Sequence, residues 1–129
     1  LLKPSDFDSD FLRTLQPALW IAAPVLKVLP YTQLPAMPVL DKLPHKSKAL
    51  FIYGGYWLAN YVYPKQCHPH MLYGRSSNQE LVNVPRACDI QVDDFVFLRP
   101  TQSEAIIPQF STLKLYQQSA FTTWQSFRE

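Results

Sequence analysis

Two short groups of polar side chains are the residues of this chain best suited to binding or proton transfer. They are Asn78-Gln79-Glu80 and Thr101-Gln102-Ser103-Glu104. Buried amide and carboxylate groups need hydrogen-bond partners, so chains seldom place them side by side merely to fill space. Each group adjoins an alternating apolar segment, which predicts a strand. The two groups are therefore predicted to line a polar pocket at strand edges.

A third group combines large aromatic residues with glycines. The segment Tyr53-Gly54-Gly55-Tyr56-Trp57 has two glycines that allow close backbone approach. In one interpretation the glycines form a bulge at a strand end and the three rings pack in the core. In the other, the tyrosine hydroxyls project toward a ligand, which they position or protonate. A tyrosine titrates near neutral pH only beside a strong base or cation, and the sequence identifies none.

The segment after Pro100 also has two interpretations. Pro100 ends the preceding strand, so the residues that follow lie on a tight loop. If that loop stays extended, Gln102 and Glu104 share one side of it. Alternatively, Thr101 or Ser103 caps a short helical turn, with Glu104 three residues after Thr101 as in a capping box.

Metal and nucleophile chemistry are poorly supported by the motifs. Cys67-His68-Pro69-His70 is one compact cluster, whereas structural zinc sites use two closely spaced pairs. We predict surface histidines beside a buried thiol and no metal site; the side chains that a metal could use are Cys67, His68, His70 and Glu104. A small metal-binding domain that adds Cys88 is an alternative. The sequence has no G-x-S-x-G motif, Ser/His/Asp set or glycine-rich phosphate loop.

Composition bounds the class of protein. The chain has 129 residues, 47% of them hydrophobic and 14% aromatic, which predicts one packed domain. A net charge of +2 with 17% charged residues argues against nucleic-acid binding. No run of about 18 apolar residues occurs, so we predict no membrane span and a cytoplasmic protein with reduced cysteines. Because the chain begins at Leu1, we expect a fragment, a processed product or the ordered part of a longer protein.

The N-terminal half predicts one helix, one strand and a long loop. Phe7, Phe11, Leu12 and Leu15 have helical spacing, with a cap at Ser5 or Asp6 and an end at Pro17. The apolar run 18–29 predicts an edge strand with a bulge at Pro24. Residues 30–48 are predicted to form a loop, which is either a functional lid or interface arm, or a mobile connector.

The rest of the chain reads as short strands. They are predicted at residues 49–53, 57–63, 80–84 and 94–98, with a hairpin formed by 113–116 and 121–124. In the second of these, Trp57, Ala59, Tyr61 and Tyr63 share one face. Five to seven strands and one leading helix predict a mainly β fold, namely a small antiparallel β-barrel or sandwich with one short N-terminal helix.

Four segments together resemble a known domain. They are Ala18-Leu19-Trp20-Ile21, Leu50-Phe51-Ile52-Tyr53-Gly54-Gly55, S-N-Q-E at 77–80 and D-D-F-V-F-L-R-P-T-Q-S-E at 93–104. Their order is similar to that in the C-terminal β-domain of pyridoxal-phosphate enzymes with the alanine-racemase fold. The nearest branch is the D-serine dehydratase and D-threonine aldolase group, which includes "amino acid aldolase or racemase" relatives. The resemblance implies a C-terminal β-domain at 17–129, and it makes 1–16 the last helix of a preceding barrel domain.

The resemblance also implies partners and a cofactor. In that family, pyridoxal phosphate forms a Schiff base with a lysine of an N-terminal (β/α)8 barrel, and the β-domain closes over the barrel of the dimer mate. The expected partners are thus the barrel domains of the same protein and of the mate, together with a small amino acid. This sequence contains no such barrel, and none of its lysines has a context similar to that of the cofactor lysine. We therefore expect no activity from this chain alone.

Two motifs depart from the pattern of the dehydratases and aldolases. Their Pro-x-His-x-Cys motif, which holds a divalent metal, aligns with Pro100 to Glu104, so Gln102 replaces the histidine and Glu104 the cysteine. Their Glu-His-Gly turn aligns with Asn78-Gln79-Glu80. Glutamine is a poor zinc ligand, and one carboxylate without imidazole suits magnesium or manganese at best. These departures disfavour zinc-dependent elimination and favour a metal-free racemase-like or aldolase-like reaction on a D-amino acid.

The leading hypothesis is a β-domain that supplies walls of a substrate pocket and closes a dimer. The wall residues would be Tyr53, Tyr56, Trp57, Asn78, Gln79, Glu80, Gln102 and Glu104. Of these, Glu104 and Tyr53 are the candidates for a catalytic role. The alternative hypothesis is a non-catalytic β-barrel module that binds a partner through its aromatic surface.

Overall fold

The computed structural model describes residues 10, 12, 14–31 and 47–126. Most of the helix predicted between Ser5 and Leu15 and most of the predicted loop 30–48 fall outside the described residues. Within them the chain is mainly β, and its largest sheet is antiparallel and nearly closed like a barrel. The prediction of a mainly β, barrel-like class is confirmed at that level. No helix among the described residues is long and apolar enough to cross a membrane.

In the described part of the chain, eight strands form two sheets. Their bounds are β1 Ile21–Leu29, β2 Ser47–Tyr53, β3 Ala59–Tyr63, β4 His68–Pro69, β5 Gln79–Pro85, β6 Phe95–Pro100, β7 Thr112–Gln117 and β8 Ala120–Gln125. The first six make one sheet in the order β3-β6-β1-β2-β5-β4, and β7 and β8 make a separate hairpin. The strands predicted after Pro30 are confirmed, with ends that differ by up to two residues.

The prediction that the first strand lies at an edge is wrong. β1 lies in the middle of the large sheet, between β6 and β2. Ile21–Pro24 pair with β6, and Val25–Leu29 pair with β2. Pro24 has no N–H to donate, and it is tolerated in a central strand because it stands where β1 changes partners. The irregularity lies between Val25 and Lys27, and not at the proline.

The core fills the inner face of the large sheet. Alternate residues of each strand point inward, as Leu50 and Ile52 do in β2 and Val96 and Leu98 do in β6; all four are fully buried. β3 follows the predicted alternation as far as Val62: Ala59 is buried and Tyr61 half-buried, whereas Asn60 and Val62 are exposed. The prediction is wrong for Tyr63, which is exposed opposite Phe97 because the register shifts between Tyr61 and Tyr63. Trp57 and Ile106 join the same cluster from outside the strands.

The segment after β6 turns into a short helix. The helix α1, Ser103–Ile106, continues into a 3-10 turn, Ile107–Gln109. The extended-loop interpretation is therefore wrong. The capping box is wrong as well, because the N-cap residue is Gln102 and its side chain makes no capping bond. The hydroxyl of Thr101 instead donates to the carbonyl oxygen of Leu58, 2.9 Å away.

The predicted C-terminal hairpin is confirmed. β7 and β8 pair without a register shift, from Thr112 opposite Gln125 to Gln117 opposite Ala120. The two turn residues, Gln118 and Ser119, have φ angles of 49° and 62°. Two consecutive positive φ angles are the backbone signature of the type I′ turn, whose twist suits a two-residue hairpin loop.

Candidate functional site

The three predicted groups lie at one end of the large sheet. Because neighbouring strands are antiparallel, the end of β2 lies beside the start of β5, and the end of β6 lies beside the start of β3. All four are at the same end of the sheet. The connections at this end of the sheet are residues 54–58, 70–78 and 101–102. We use the name polar rim for residues 53–58, 74–79 and 101–104. These segments therefore include every residue predicted for the pocket wall except Glu80, which begins the buried part of β5, but the Trp57 side chain is buried and does not reach the surface.

Backbone hydrogen bonds fasten the three connections together. The N–H of Gly54 donates to the carbonyl oxygen of Asn78 at 2.5 Å, and that of Tyr56 to Ser76 at 3.3 Å. On the other side, the N–H of Thr101 donates to Leu58 at 2.8 Å. Residues 54–58 thus form the middle of the polar rim, bonded to both flanking connections.

Six of the eight predicted wall residues are exposed on this surface: Tyr53, Tyr56, Asn78, Gln79, Gln102 and Glu104. Tyr53 stands directly opposite Gln79 in the β2–β5 ladder, so their side chains are neighbours on one face. Tyr56 has a φ angle of 51°, which is unusual for a bulky residue and is held by the bonded connections on both sides. The polar rim can therefore present phenol, amide and carboxylate groups to a small polar ligand.

Trp57 lies in the interior rather than on this surface. Its side chain is 6% exposed, and its ring centroid is 5.9 Å from that of Phe110. A Cβ on Gly55 would lie 2.3 Å from the indole nitrogen, so the glycine leaves room for this ring. Trp57 therefore packs in the core, as the first interpretation of segment 53–57 predicted. Tyr53 and Tyr56 are exposed, which the second interpretation, in which the tyrosine hydroxyls face a ligand, requires.

Glu80 is a buried acid directly below the polar rim. It pairs with Ile52, and both side chains point into the core; Glu80 is 1% exposed. One carboxyl oxygen, Oε1, has no hydrogen-bond partner among the described residues, and the backbone N–H of Ser76 donates to the carboxyl group. Burial raises the pKa of Glu80 to about 7, and the bond from Ser76 opposes that rise. The sequence carried a signal for this burial, since Val82 and Val84 follow at the same alternation.

The free energy of unfolding of the chain should decrease as pH rises, because of Glu80. The folded chain holds the proton up to about pH 7, whereas an unfolded glutamic acid releases it near 4.5. Between these two pH values only the folded state holds the proton. The contribution of Glu80 to the free energy of unfolding is therefore fully present below about pH 4.5 and is lost as the pH rises to about 7. Glu80→Gln should therefore be more stable than the parent at about pH 8, by on the order of 2 kcal/mol, and similar to it at about pH 4.

Urea denaturation at both pH values measures this difference. Exposed Glu104→Gln is the matched control, because it removes the same charge from a side chain that water already solvates. A Glu80→Gln profile parallel to that of the parent would contradict the raised pKa.

Arg75 is the residue of the polar rim that sequence reasoning missed. It belongs to the connection between β4 and β5, which are the last two strands in the sheet order. Its side chain reaches the start of β3, which is the first strand in that order. Its Nη1 donates to the carbonyl oxygen of Trp57 at 2.9 Å, and its Nη2 to that of Ala59 at 2.5 Å. Its guanidinium also lies 5.0 Å from the ring centroid of Tyr61, a cation–π contact. Arg75 thus bridges the gap that keeps the sheet from closing into a complete barrel.

The residues considered for a metal do not gather into a site. Cys67 is buried, and burial together with the neighbouring Cys88 raises its pKa to about 12, so it remains a thiol. His70 is also buried, so the prediction of surface histidines is wrong for this residue. Its Nδ1 accepts the N–H of Leu72 at 3.2 Å. His68 is exposed. No group of three or more His, Cys, Asp or Glu side chains suited to a metal occurs in the described part of the chain.

An open groove lies at the other end of the large sheet. Its volume is about 420 Å³, and its lining is Ser47, Gln66, Cys67, His68, Val84 and Pro85. Ser47 begins β2 and Pro85 ends β5, so the groove is separated from the polar rim by the length of these strands. The groove and the predicted pocket are different places on the molecule.

Comparison with known proteins adds no identity to this geometry: no family model, curated protein or solved structure matches the chain.

Proposed function

We propose that this chain is the C-terminal β-domain of a pyridoxal-phosphate enzyme of the alanine-racemase fold, related to D-serine dehydratases and D-threonine aldolases. In this proposal it closes over a barrel domain of a dimer mate and supplies one wall of a shared substrate pocket. The observation that carries the proposal is the polar rim, where three connections present exposed tyrosine, amide and carboxylate groups at one end of a barrel-like sheet.

The chemistry of the rim suits substrate recognition better than cofactor attachment. Phenol and amide groups of Tyr53, Asn78 and Gln79 can bond to the ammonium, hydroxyl or carboxylate groups of an amino acid. The described lysines, Lys27, Lys48, Lys65 and Lys114, all lie away from the polar rim. In this proposal the Schiff-base lysine belongs to the barrel, where bound pyridoxal phosphate would supply the electron sink for carbanion chemistry.

Within this proposal, two rim residues have assigned roles. Glu104 is exposed in the first turn of α1 and is the candidate for holding or moving a proton at its carboxylate. Tyr53, opposite Gln79 at the end of β2, is the candidate for orienting the substrate through its hydroxyl. Gln102 offers amide donors and an amide acceptor beside Glu104 and is expected to bind substrate rather than a metal ion.

The test uses the complete gene product and D-amino acids. Gln102→Ala and Glu104→Ala should each lower kcat/KM by roughly tenfold or more, since each loses an interaction with bound substrate. Gln109→Ala, an exposed amide on the 3-10 turn outside the polar rim, is the matched control and should keep full activity. Unchanged kcat and KM in both rim variants of an active enzyme would contradict the assignment of the site.

A non-catalytic β-barrel module is the second candidate, and a separate observation favours it. The outer face of β3 and β6 carries Tyr63, Phe95 and Phe97, which are 52%, 45% and 37% exposed. Tyr63 and Phe97 are in ring contact at 6.2 Å, so the patch is continuous. Such a patch is typical of a surface that binds another protein. A complete gene product with no pyridoxal-phosphate absorbance and no barrel of about 250 residues would favour this module over the enzyme.

A further inference from the structure

The carboxyl group of Glu80 is part of what fastens the polar rim. It is 1% exposed, and one of its oxygens accepts the backbone N–H of Ser76. The carbonyl oxygen of the same Ser76 accepts the N–H of Tyr56, 3.3 Å away. The other carboxyl oxygen, Oε1, has no hydrogen-bond partner among the described residues. Ser76 therefore links a buried acid to the middle connection of the polar rim.

Among the described residues, the closest neighbours of Glu80 offer no opposite charge to an ionised carboxylate. Its partner on β2 is Ile52, which is apolar and fully buried. Arg75, in the connection 70–78, directs its guanidinium to the carbonyl oxygens of segment 57–59 instead. An ionised carboxylate would thus keep the N–H of Ser76 as its partner. A buried charge with so little compensation is strongly unfavourable.

The remaining titratable groups around β5 do not change this balance. His70 follows β4, and burial together with nearby His68 lowers its pKa, so its ring is neutral near neutral pH. Tyr61 of β3 carries a phenol, which is uncharged at the same pH. Lys48 lies at the far end of β2 and donates to the carbonyl oxygen of Ile90. Three more groups beside β5 are exposed to water, namely Tyr53, His68 and Tyr73. An ionised Glu80 is therefore stabilised by hydration rather than by a protein charge.

The connection 70–78 is the part of the surroundings that can move most easily to admit water. β5 is held to β2 by a regular ladder along its whole length, from Gln79 to Pro85. Residues 74–78 are held instead by separate bonds, from Gly54 to Asn78, from Tyr56 to Ser76, and from the Arg75 side chain. Irregular segments with few backbone bonds open at a lower free energy than strand ladders. Water therefore reaches the carboxylate when this connection moves away from residues 54–58.

We propose that Glu80 is a pH-sensitive switch of the polar rim. The rim is closed while the carboxyl group holds its proton, and the connection 70–78 opens to hydrate the carboxylate when the proton is lost. A ligand that contacts more than one of the three connections binds the closed form better, so its affinity falls as the pH rises. The inference does not rest on the proposed enzymatic function, because it concerns only how the rim is assembled.

The pH range of the switch follows from burial. In the closed rim, burial raises the pKa of Glu80 to about 7, whereas a solvated glutamic acid titrates near 4.5. In the open rim the carboxyl group is solvated and titrates near the lower value. The opening equilibrium is therefore constant below about pH 4.5, increases as the pH rises to about 7, and is constant again above that value.

Hydrogen exchange of the full chain at about pH 5 and about pH 8 tests the switch. After correction for the chemical exchange rate, protection of the N–H groups of Gly54, Tyr56 and Ser76 should fall by roughly tenfold or more at the higher pH. The N–H groups of the β7–β8 hairpin, which pairs with no strand of the large sheet in the described residues, are the internal reference and should keep their protection. Unchanged protection of all three rim groups would overturn the proposal.

Added urea separates local opening from global unfolding. Opening of one connection exposes little surface, so exchange of the rim groups should be nearly insensitive to low concentrations of urea. Exchange of the N–H groups in the β2–β5 ladder requires a larger opening and should accelerate with urea. An equal urea dependence of the rim and ladder groups would mean that the rim opens only when the whole chain unfolds, which contradicts a switch.

Glu80→Gln is the decisive variant, because its side chain has nearly the same size and is uncharged at every pH. Its rim groups should keep the same protection at both pH values, whereas Glu104→Gln, an exposed control, should behave as the parent does. A Glu80→Gln chain with the pH dependence of the parent would contradict the assignment. If that variant does not fold, the ¹³C shift of the Glu80 carboxyl in the parent chain decides. Loss of the proton near pH 7 is expected, and a midpoint near 4.5 would overturn the proposal.

Discussion

Replacing Gly54 with alanine is expected to destabilise the chain by about 3 kcal/mol. A Cβ at this position would lie 2.4 Å from the carbonyl oxygen of Ser76 and 3.2 Å from that of Asn78. Both obstacles are backbone atoms, so no side-chain rotation relieves the contact. The hydrogen bond from Gly54 to Asn78 also fixes the two segments at this distance. The new methyl group must therefore separate β2 from the connection that precedes β5.

Gly74→Ala is the matched comparison for Gly54→Ala. Gly74 has a φ angle of 59°, and none of the described residues comes within 4 Å of the position that a methyl group would take there, so only the backbone conformation opposes the change. That conformation costs an alanine about 1 kcal/mol. The urea midpoint of Gly54→Ala should therefore be lower than that of Gly74→Ala. Equal losses in both variants would mean that the close approach at Gly54 is relieved by movement of the connection.

The second large effect is expected for Arg75→Ala, which should cost about 2 to 3 kcal/mol of folding free energy. The change removes both hydrogen bonds to the segment that begins β3 and the contact with Tyr61, and it leaves two carbonyl oxygens at the sheet edge without this donor. Hydrogen exchange should report the loss locally, with faster exchange in β3 and in the connection 70–78. These two segments are joined by this side chain and by the neighbouring backbone bonds of the polar rim.

Two controls separate geometry from charge at Arg75. Arg75→Lys retains the positive charge but cannot bond to two carbonyl groups with a planar fork, so it should recover only part of the lost stability. Lys65→Ala removes an exposed positive charge from the turn after β3 and should change stability by no more than about 0.5 kcal/mol. Full recovery in Arg75→Lys would show that charge alone matters and would contradict the bridging geometry.

Local patterns in the sequence predicted what depends on nearby residues. The alternation around Gln117 and Ala120 predicted the hairpin, and Gly54-Gly55 predicted close backbone approach at the end of β2. The polar groups were also predicted at strand ends, which is where the polar rim lies. In each case the relevant partners are within a few residues, or the requirement is a property of the residue type itself.

Long-range pairing explains what the sequence did not reveal. The central position of β1 depends on β6, more than seventy residues later, and an isolated proline suggested an edge. The role of Arg75 depends on carbonyl groups in a segment that closes the sheet from the other side. α1 lacks its predicted cap because the hydroxyl of Thr101 is engaged by Leu58, a partner that no local motif identifies.

The change of partners at Pro24 has a consequence for how the chain folds. The second half of β1 can pair with β2 once the chain has been synthesised as far as residue 53. Ile21–Pro24 can pair only after Phe95–Leu98 have been synthesised. On the ribosome, the first half of this strand is therefore unpaired until most of the domain has been synthesised. Sheets dominated by such distant pairs fold slowly, on a scale of roughly milliseconds to seconds. The late arrival of β6 is thus expected to be the event that commits the whole sheet to its final form.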